Sequence, residues 1–465
     1  MSEGSLPLYF ASEPSGTAGA KRLLIISYAF PPDPQVGGRR WQQMARFLAD
    51  AGWEIDVIAR DFRALRVVDR PSLASLPRGT RIFTVPDQPP LVSRLQARWW
   101  PAIRTVVRFG RKRPSYDEEN RAAVVNAEKP VVGSTFSRTY FARVEFSRDG
   151  NWARAAARLA KRLMQTGTYS AVVTSGPPHM THEAGRQLTR ALGVPHVLDM
   201  RDPWSLVERV PDYVSCPTFF RLAKQWEERF IDAAALVTMN TEAGAAAMRN
   251  AYPAAAHKIE TVRNGCDDEP VPPTTRDRCF NIRFAGSIYL DRDPRLVFRA
   301  AALVIRDLGL NPAQLKLTFL GDVDASGGTR LLAEQEGVSE FVDIGPSVPR
   351  REILEFMAGA AMLLSLPQDS DFAIPAKIYE YMRFDAWMLV LATPQCATAL
   401  VLENSGADVV DPSSVQGIAR VIRSRYEQYA RGEYPQSIAG SGRYDRSVQA
   451  TKLIARLHQL EKSQP

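Results

Sequence analysis

At 465 residues, with 45% hydrophobic and 24% charged side chains, the chain has the make-up of a folded protein and the length of two ordinary domains rather than one. No apolar run approaches the roughly 20 residues that cross a bilayer, and four scattered cysteines with five histidines lack disulfide or zinc spacing, which suits a reducing cytoplasm. The net charge of +8 points either to an anionic partner or to a solvated basic face, and since no DNA- or RNA-binding motif accompanies it, no nucleic acid is expected.

Residues 1–20 carry an acid where a signal peptide is basic and read as a disordered leader. Leu23-Leu24-Ile25-Ile26-Ser27 is a short apolar run of the buried parallel-strand kind. A loop with Pro31, Pro32, Gly37 and Gly38 follows, then a helical pattern through Trp41, Met44, Ala45 and Leu48 that Gly52 stops. Trp53 to Ile58 is the next strand, which completes a βαβ unit. Past Val85 the rhythm breaks. Residues 88–168 read as an insertion with helices at Leu91–Phe109 and Trp152–Met164, and from 92 to 165 sixteen Lys/Arg stand against six acids.

Alternation resumes with strands at Ala171–Thr174, Pro195–Asp199, Ala235–Thr238 and Ile259–Val262, separated by helices, and the proline-rich stretch 266–279 reads as a linker. A second series follows, with strands at Phe280–Phe284, Leu315–Leu320, Phe341–Ile344, Ala361–Leu366 and Met388–Leu391. Helices are expected at about Pro294–Leu308, Arg350–Ala358, Ala376–Arg383 and Ser447–Leu460. The last of these, within 441–465, is expected to pack back across the domain junction. The fold class is therefore α/β, with two Rossmann-like domains facing a cleft, at 21–265 and 280–440.

Ligands of open α/β sheets bind beyond the carboxyl ends of the strands, which selects a few loops. In Pro31–Arg40 the pair Gly37-Gly38 lets backbone approach a ligand, with Arg39 and Arg40 beside it; a plain turn with solvated arginines fits equally. Ser175-Gly176-Pro177-Pro178-His179 opens a helix, with His182 one turn on so that both histidines line one face of the cleft, and His179 is suited to hydrogen-bond a hydroxyl or a phosphate. Asp199, Arg201 and Asp202 share one loop, as a salt-bridged brace or as ligand contacts. In the second half Gly286-Ser287, followed by Arg292 and Arg295, is a glycine turn with cations, the pairing a diphosphate needs. Ala373 and Ile374 lead into Lys377 and Glu380, whose three-residue spacing gives either a phosphate–ribose site or an ordinary surface ion pair.

Taken in order, IISYAFPPDPQVGGRRWQQMARFLADAGWEIDVI, SGPPHMTHEAG, DMRDPW and VRNGCDDE resemble the N-terminal domain of GT-B glycosyltransferases of the family 4-like group, and FAGSIYLDRDP and IPAKIYEYM resemble its nucleotide-binding C-terminal domain. The resemblance implies a GT-B fold and a retaining, metal-independent transfer from a nucleotide sugar, a UDP-sugar or GDP-sugar, to a glycan or lipid-linked acceptor, with no cofactor. It matches Glu380 to the acid that holds ribose and Arg292 to the cation that neutralises the diphosphate. It puts Gly286, Ser287, Arg295, Ala373, Ile374 and Lys377 on the donor side. Gly37, Gly38, Arg39, Ser175, Gly176, Arg201 and Asp202 fall on the acceptor side, with His179 and Arg292 as the residues nearest the chemistry. Two positions depart from the family pattern. Phe372 stands eight before Glu380, where a second glutamate is usual and Asp369 or Asp371 would have to substitute, and Ser287 follows the glycine where an arginine is usual.

The basic helix over about 92–113, with Trp99 and Trp100 among arginines, fits an anionic membrane surface or a core-packing helix with solvated arginines. On these grounds the protein is expected in the cytoplasm, peripheral on the inner face of the membrane. Competing readings are a sugar-nucleotide epimerase on the same fold and a catalytically degenerate partner subunit.

Overall fold

The computed structural model describes residues 6–16, 20–65, 68–87, 134–207, 210–266, 270–273, 277–288, 292–324, 328–367 and 370–462. They divide into two compact units: one holds the described residues up to Asn264 together with those from Arg446 onward, the other those from Gly265 to Asp445.

The first unit is built on an eight-stranded sheet of β1 (Leu8–Ala11), β2 (Lys21–Ser27), β3 (Trp53–Arg60), β4 (Thr80–Val85), β5 (Ala171–Ser175), β6 (His196–Arg201), β7 (Leu236–Met239) and β8 (Ile259–Thr261). The spatial order is β1-β4-β3-β2-β5-β6-β7-β8, parallel except for β1 against β4. Because successive side chains of a strand point to opposite faces, β2 feeds two cores. Leu23 and Ile25 pack with Trp41, Met44 and Leu48 on one face, whereas Leu24 and Ile26 pack with Trp152, Ala156 and Ala160 on the other. That is why the strand reads as one unbroken apolar run.

Three sequence expectations are corrected in this unit. The leader is not wholly disordered: Leu8–Ala11 pairs antiparallel with β4 as an edge strand. The helix expected at Trp152–Met164 runs from Thr135 to Thr166 and is the covering helix between β4 and β5 rather than part of an insertion. Its buried alanines 153, 156, 157 and 160 let it lie close on the sheet. Gly37 and Gly38 lie in the first turn of the Val36–Asp50 helix, not in a loop. The helix expected at Leu91–Phe109 lies outside the described residues.

The final helix, Arg446–Lys462, belongs to this first unit. It buries Ala450, Leu453 and Leu457 in the core that holds β2 and β3, stacks His458 on Trp53, and pairs Arg456 with Glu260 at 2.8 Å.

The second unit holds a wholly parallel six-stranded sheet of β9 (Phe280–Ala285), β10 (Leu315–Leu320), β11 (Val342–Gly345), β12 (Met362–Ser365), β13 (Trp387–Leu391) and β14 (Asp408–Val410). Its order is β11-β10-β9-β12-β13-β14. β14 and the Gly328–Gln335 and Val415–Ala430 helices were not expected from the sequence. Among the described residues no helix is long and apolar enough to cross a membrane.

Candidate functional site

In each sheet the strand order reverses once, between β2 and β5 in the first and between β9 and β12 in the second. Loops leaving adjacent strands on either side of such a reversal diverge and open a crevice at the carboxyl edge. The candidate residues of the sequence cluster on these loops and their neighbours.

In the second unit Gly286 follows β9 with φ 141°, a conformation open to glycine, and its amide donates to the Leu320 carbonyl at 2.7 Å. A Cβ there would stand 1.3 Å from the Lys377 ammonium nitrogen. The ammonium thus rests directly on the glycine backbone, and it also lies 4.9 Å from the centre of the Phe284 ring. Gly321, at the end of β10, is just as constrained: with φ 127°, its Cβ would come within 2.1 Å of the Gly286 carbonyl oxygen. Backbone and ammonium are packed here with no room for a side chain.

Around this point Tyr381, buried, accepts from the Ala285 amide at 3.0 Å and donates to the Ala285 carbonyl at 3.3 Å, which ties the Ala376–Tyr381 helix to the end of β9. Arg292 is near enough for its charge to act on the Tyr381 phenol. Arg295 begins the Arg295–Leu308 helix, and Asp293 accepts from its amide at 2.8 Å. Glu380 forms an ion pair with Arg350, the first residue of the Arg350–Ala358 helix. Ala373 is half-buried and Ile374 buried, while Ser287 is half-buried. Of the proposed glutamate substitutes, Asp371 is exposed and accepts from the Thr393 hydroxyl at 3.2 Å, and Asp369 lies outside the described residues.

In the first unit the loops are braced by one buried carboxylate. Asp199, fully buried, accepts from Arg40 through both oxygens at 3.1 Å, from Trp41 Nε1 at 2.7 Å, from Thr238 at 2.9 Å and from Ser175 at 3.1 Å. Burial opposes its charge, but Arg40 and these donors hold its carboxyl below the usual range. Of the two readings of this loop, Asp199 is the brace, and Ser175 is spent on it. Arg40, which continues to the Val262 carbonyl at 2.8 Å, is structural in the same way.

Arg201 differs. A register shift between Asp199 and Arg201 on β6 precedes its φ of 66°, rare for a residue with a Cβ. Its Nη1 donates to the Gly37 carbonyl at 3.3 Å, and its Nε is buried with no partner. Gly38 is required for packing: a Cβ would stand 2.8 Å from Phe30 Cα. Arg39 is half-buried, and the Asp202 amide donates to the Met200 carbonyl at 2.9 Å.

His179 is half-buried, and its ring stacks on Trp204 with centroids 5.1 Å apart and an angle of 27°. Desolvation, helped by Arg201, pushes its pKa down to about 3, so it is neutral. Gly176 is required beside it, since a Cβ would come 2.8 Å from both His179 Nδ1 and His182 Nε2. The expectation that His182 shares an accessible face with His179 is corrected. His182 is fully buried, with Nδ1 2.8 Å from the Thr174 hydroxyl, which in turn lies 2.6 Å from His196 Nε2. The turn at His179–Thr181 rotates the following helix so that His182 faces the core.

Sequence reasoning missed Gly321, Arg350 and Glu227. Gly321 directly follows an apolar strand and was findable by the carboxyl-end rule; the other two are assigned only through partners distant in sequence. Among the described residues no group of His, Cys, Asp and Glu side chains could hold a metal ion.

No protein-family model matches the chain. It is 24% identical over 235 residues to the D-inositol 3-phosphate glycosyltransferase of Paenarthrobacter aurescens (strain TC1), an alignment covering 48% of this chain and 53% of that protein, so it spans about half the length of this curated relative. Among solved structures it resembles sucrose-phosphate synthase from Thermosynechococcus elongatus, with a TM-score of 0.59 and 13% identity, over 96% of this chain and 100% of that one. It also resembles a mutant of S. aureus TarM in complex with Fondaparinux, alpha-GlcNAc-glycerol and UDP, with a TM-score of 0.59 and 9% identity, over 94% of this chain and 99% of that one. The fold is the GT-B fold of two Rossmann-like domains.

Proposed function

We propose that the protein is a glycosyltransferase that moves a sugar from a nucleotide donor, a UDP-sugar or GDP-sugar, to a glycan or lipid-linked acceptor, with retention and without a metal, in polysaccharide or glycoconjugate biosynthesis. The observation that carries this reading is Lys377 seated on the Gly286 backbone where the second sheet reverses its strand order. A diphosphate there would meet the ammonium, with Arg292 on the segment that follows β9 and Arg295 at the start of the next helix, while Glu380 accepts the ribose hydroxyls. The barrier lies in charge building on the leaving diphosphate as the sugar gains oxocarbenium character, and fixed cations lower it electrostatically. In this reading the departing phosphate takes the acceptor proton. A neutral His179 fits that scheme, because it positions a hydroxyl without having to act as a base.

The curated relative is named a D-inositol 3-phosphate glycosyltransferase, and the TarM mutant is recorded with UDP. Docking on an anionic membrane surface through 92–113, at the inner face of the cell membrane, belongs to the same proposal, and flotation with anionic but not neutral vesicles tests it.

The deciding measurement is thermal stabilisation by UDP, GDP, ADP, CMP and dTDP, repeated with Glu380→Ala. Stabilisation by one nucleoside diphosphate, lost in the variant, is expected. No shift from any of the panel would sink the proposal and favour the degenerate-partner reading.

A further inference from the structure

His179 is held in an unusual way. Its Nδ1 is buried without a hydrogen-bond partner, next to the Gly176 backbone, where a Cβ would stand 2.8 Å away. No hydrogen bond fixes the ring, so its orientation is left to the surfaces it touches. The largest is the indole of Trp204, stacked on it at 5.1 Å. That indole is itself stacked on Phe146, with centroids 5.1 Å apart and planes at 20°.

Trp204 sits in the irregular segment that follows β6, which has no ladder of its own to hold it. Glu227, on the Pro217–Ala233 helix, supplies the hold. Its carboxylate is fully buried and accepts from the Trp204 amide at 2.8 Å and the Ser205 amide at 2.9 Å through Oε2. Through Oε1 it accepts from the Ser205 hydroxyl at 2.5 Å and the Tyr252 hydroxyl at 2.7 Å. Four donors on one buried carboxylate meet its hydrogen-bonding needs. The two amides are the groups that an irregular buried segment would otherwise leave unpaired.

We propose that Glu227 is a positioning residue for His179: by clamping the Trp204–Ser205 backbone it fixes the indole face on which the imidazole rests, and so holds His179 with Nε2–H outward as a hydrogen-bond donor. The tautomer follows from the surroundings of Nδ1. A buried N–H without an acceptor is rarer and costlier than a bare lone pair, so Nδ1 is the unprotonated nitrogen and Nε2 carries the proton. His179 then offers a hydroxyl or phosphate oxygen a donor. In the proposed transfer this would fix the sugar or acceptor and would not remove a proton. The inference rests on the proposed function only for the identity of that ligand.

The test is long-range proton–nitrogen NMR of the full chain labelled at histidine, with His179→Gln to assign the resonance, between pH 5 and 8. Wild type is expected to show His179 as the neutral Nε2–H tautomer throughout. In Glu227→Ala the His179 resonances should become a tautomer mixture that titrates near the ordinary histidine range, about 6.5, and Glu227→Gln, which can still accept both amides, should restore the wild-type pattern. Trp204→Ala reaches the same point without touching the carboxylate and should reproduce the Glu227→Ala pattern if that variant fails to fold. An unchanged His179 tautomer and titration in a folded Glu227→Ala or Trp204→Ala chain would overturn the inference. Because this readout needs no donor or acceptor, a failure of the nucleotide panel leaves it standing, and its failure leaves the nucleotide panel untouched.

Discussion

The carboxyl edges of the two sheets are furnished with opposite chemistry. All five histidines of the chain lie in the first unit and none in the second. At the edge of the first sheet Asp199 pairs with Arg40, and beside them lie the neutral His179 and Arg201, whose Nη1 donates to the Gly37 carbonyl. At the edge of the second sheet the Lys377 ammonium lies against the Gly286 backbone, Arg292 is near Tyr381, and Glu380 pairs with Arg350. A surface of hydrogen-bond donors discriminates among hydroxyls. A cationic one made partly of bare backbone accommodates a charged, unbranched group such as a diphosphate. The same sheet architecture thus carries two differently furnished edges.

Cutting the matched pair gives the largest expected effect. Asp199→Ala leaves Arg40 buried without its partner, which costs about 3–5 kcal/mol. Hydrogen exchange on the full chain should show the first unit opening while peptides of 280–440 stay protected, and equal loss of protection in both units would contradict a brace confined to one.

The second expectation concerns pH. Desolvation holds His196 down to about 3 and His182 well below its ordinary value. Both therefore bind protons in the unfolded chain before the folded one. Their stabilisation is complete above about pH 6.5 and is lost as pH falls, by about 2 kcal/mol at pH 5 for His196. Glu145 works against them in the same unit, because burial raises its pKa to about 7 and the folded state gains a proton as pH drops. The test is therefore a difference. His182→Asn, which retains a partner for Thr174, should shrink the stability change of the first unit between pH 7.5 and 5, and an unchanged difference would mean that His182 is protonated in the fold.

The smallest effect on stability, yet the most telling for function, is expected at Gly286→Ala. The new Cβ must displace Lys377 and adopt a backbone conformation unsuited to alanine. Affinity for the stabilising nucleoside diphosphate should fall about 100-fold, or about 2.7 kcal/mol, with protection of the first unit unchanged. Retained affinity would remove Lys377 and Gly286 from the site.

Much of this was readable in the sequence because it is local. The apolar run of β2, the glycine that follows β9 and the spacing of Lys377 and Glu380 are written within a few residues, and the alternation of strands and helices fixed both Rossmann-like series. The edge strand Leu8–Ala11 was not readable, since the ladder that holds it is with β4, some seventy residues on. The long helix from Thr135 was read short because its first half is polar and half-exposed, without the periodicity that marked Trp152–Met164.

By itself, then, the sequence determined the element order, the α/β class and the loops on which polar residues gather, because periodicity and turn chemistry act over a single element. Only the tertiary structure decided which of those polar residues are spent on the fold. Asp199 finds Arg40 across 159 residues, and Glu227 meets the Trp204 amide across 23. Whether a carboxylate or an imidazole is a brace or a ligand contact depends on burial and on partners that approach only when the strands are laid side by side, and no spacing within one loop encodes that.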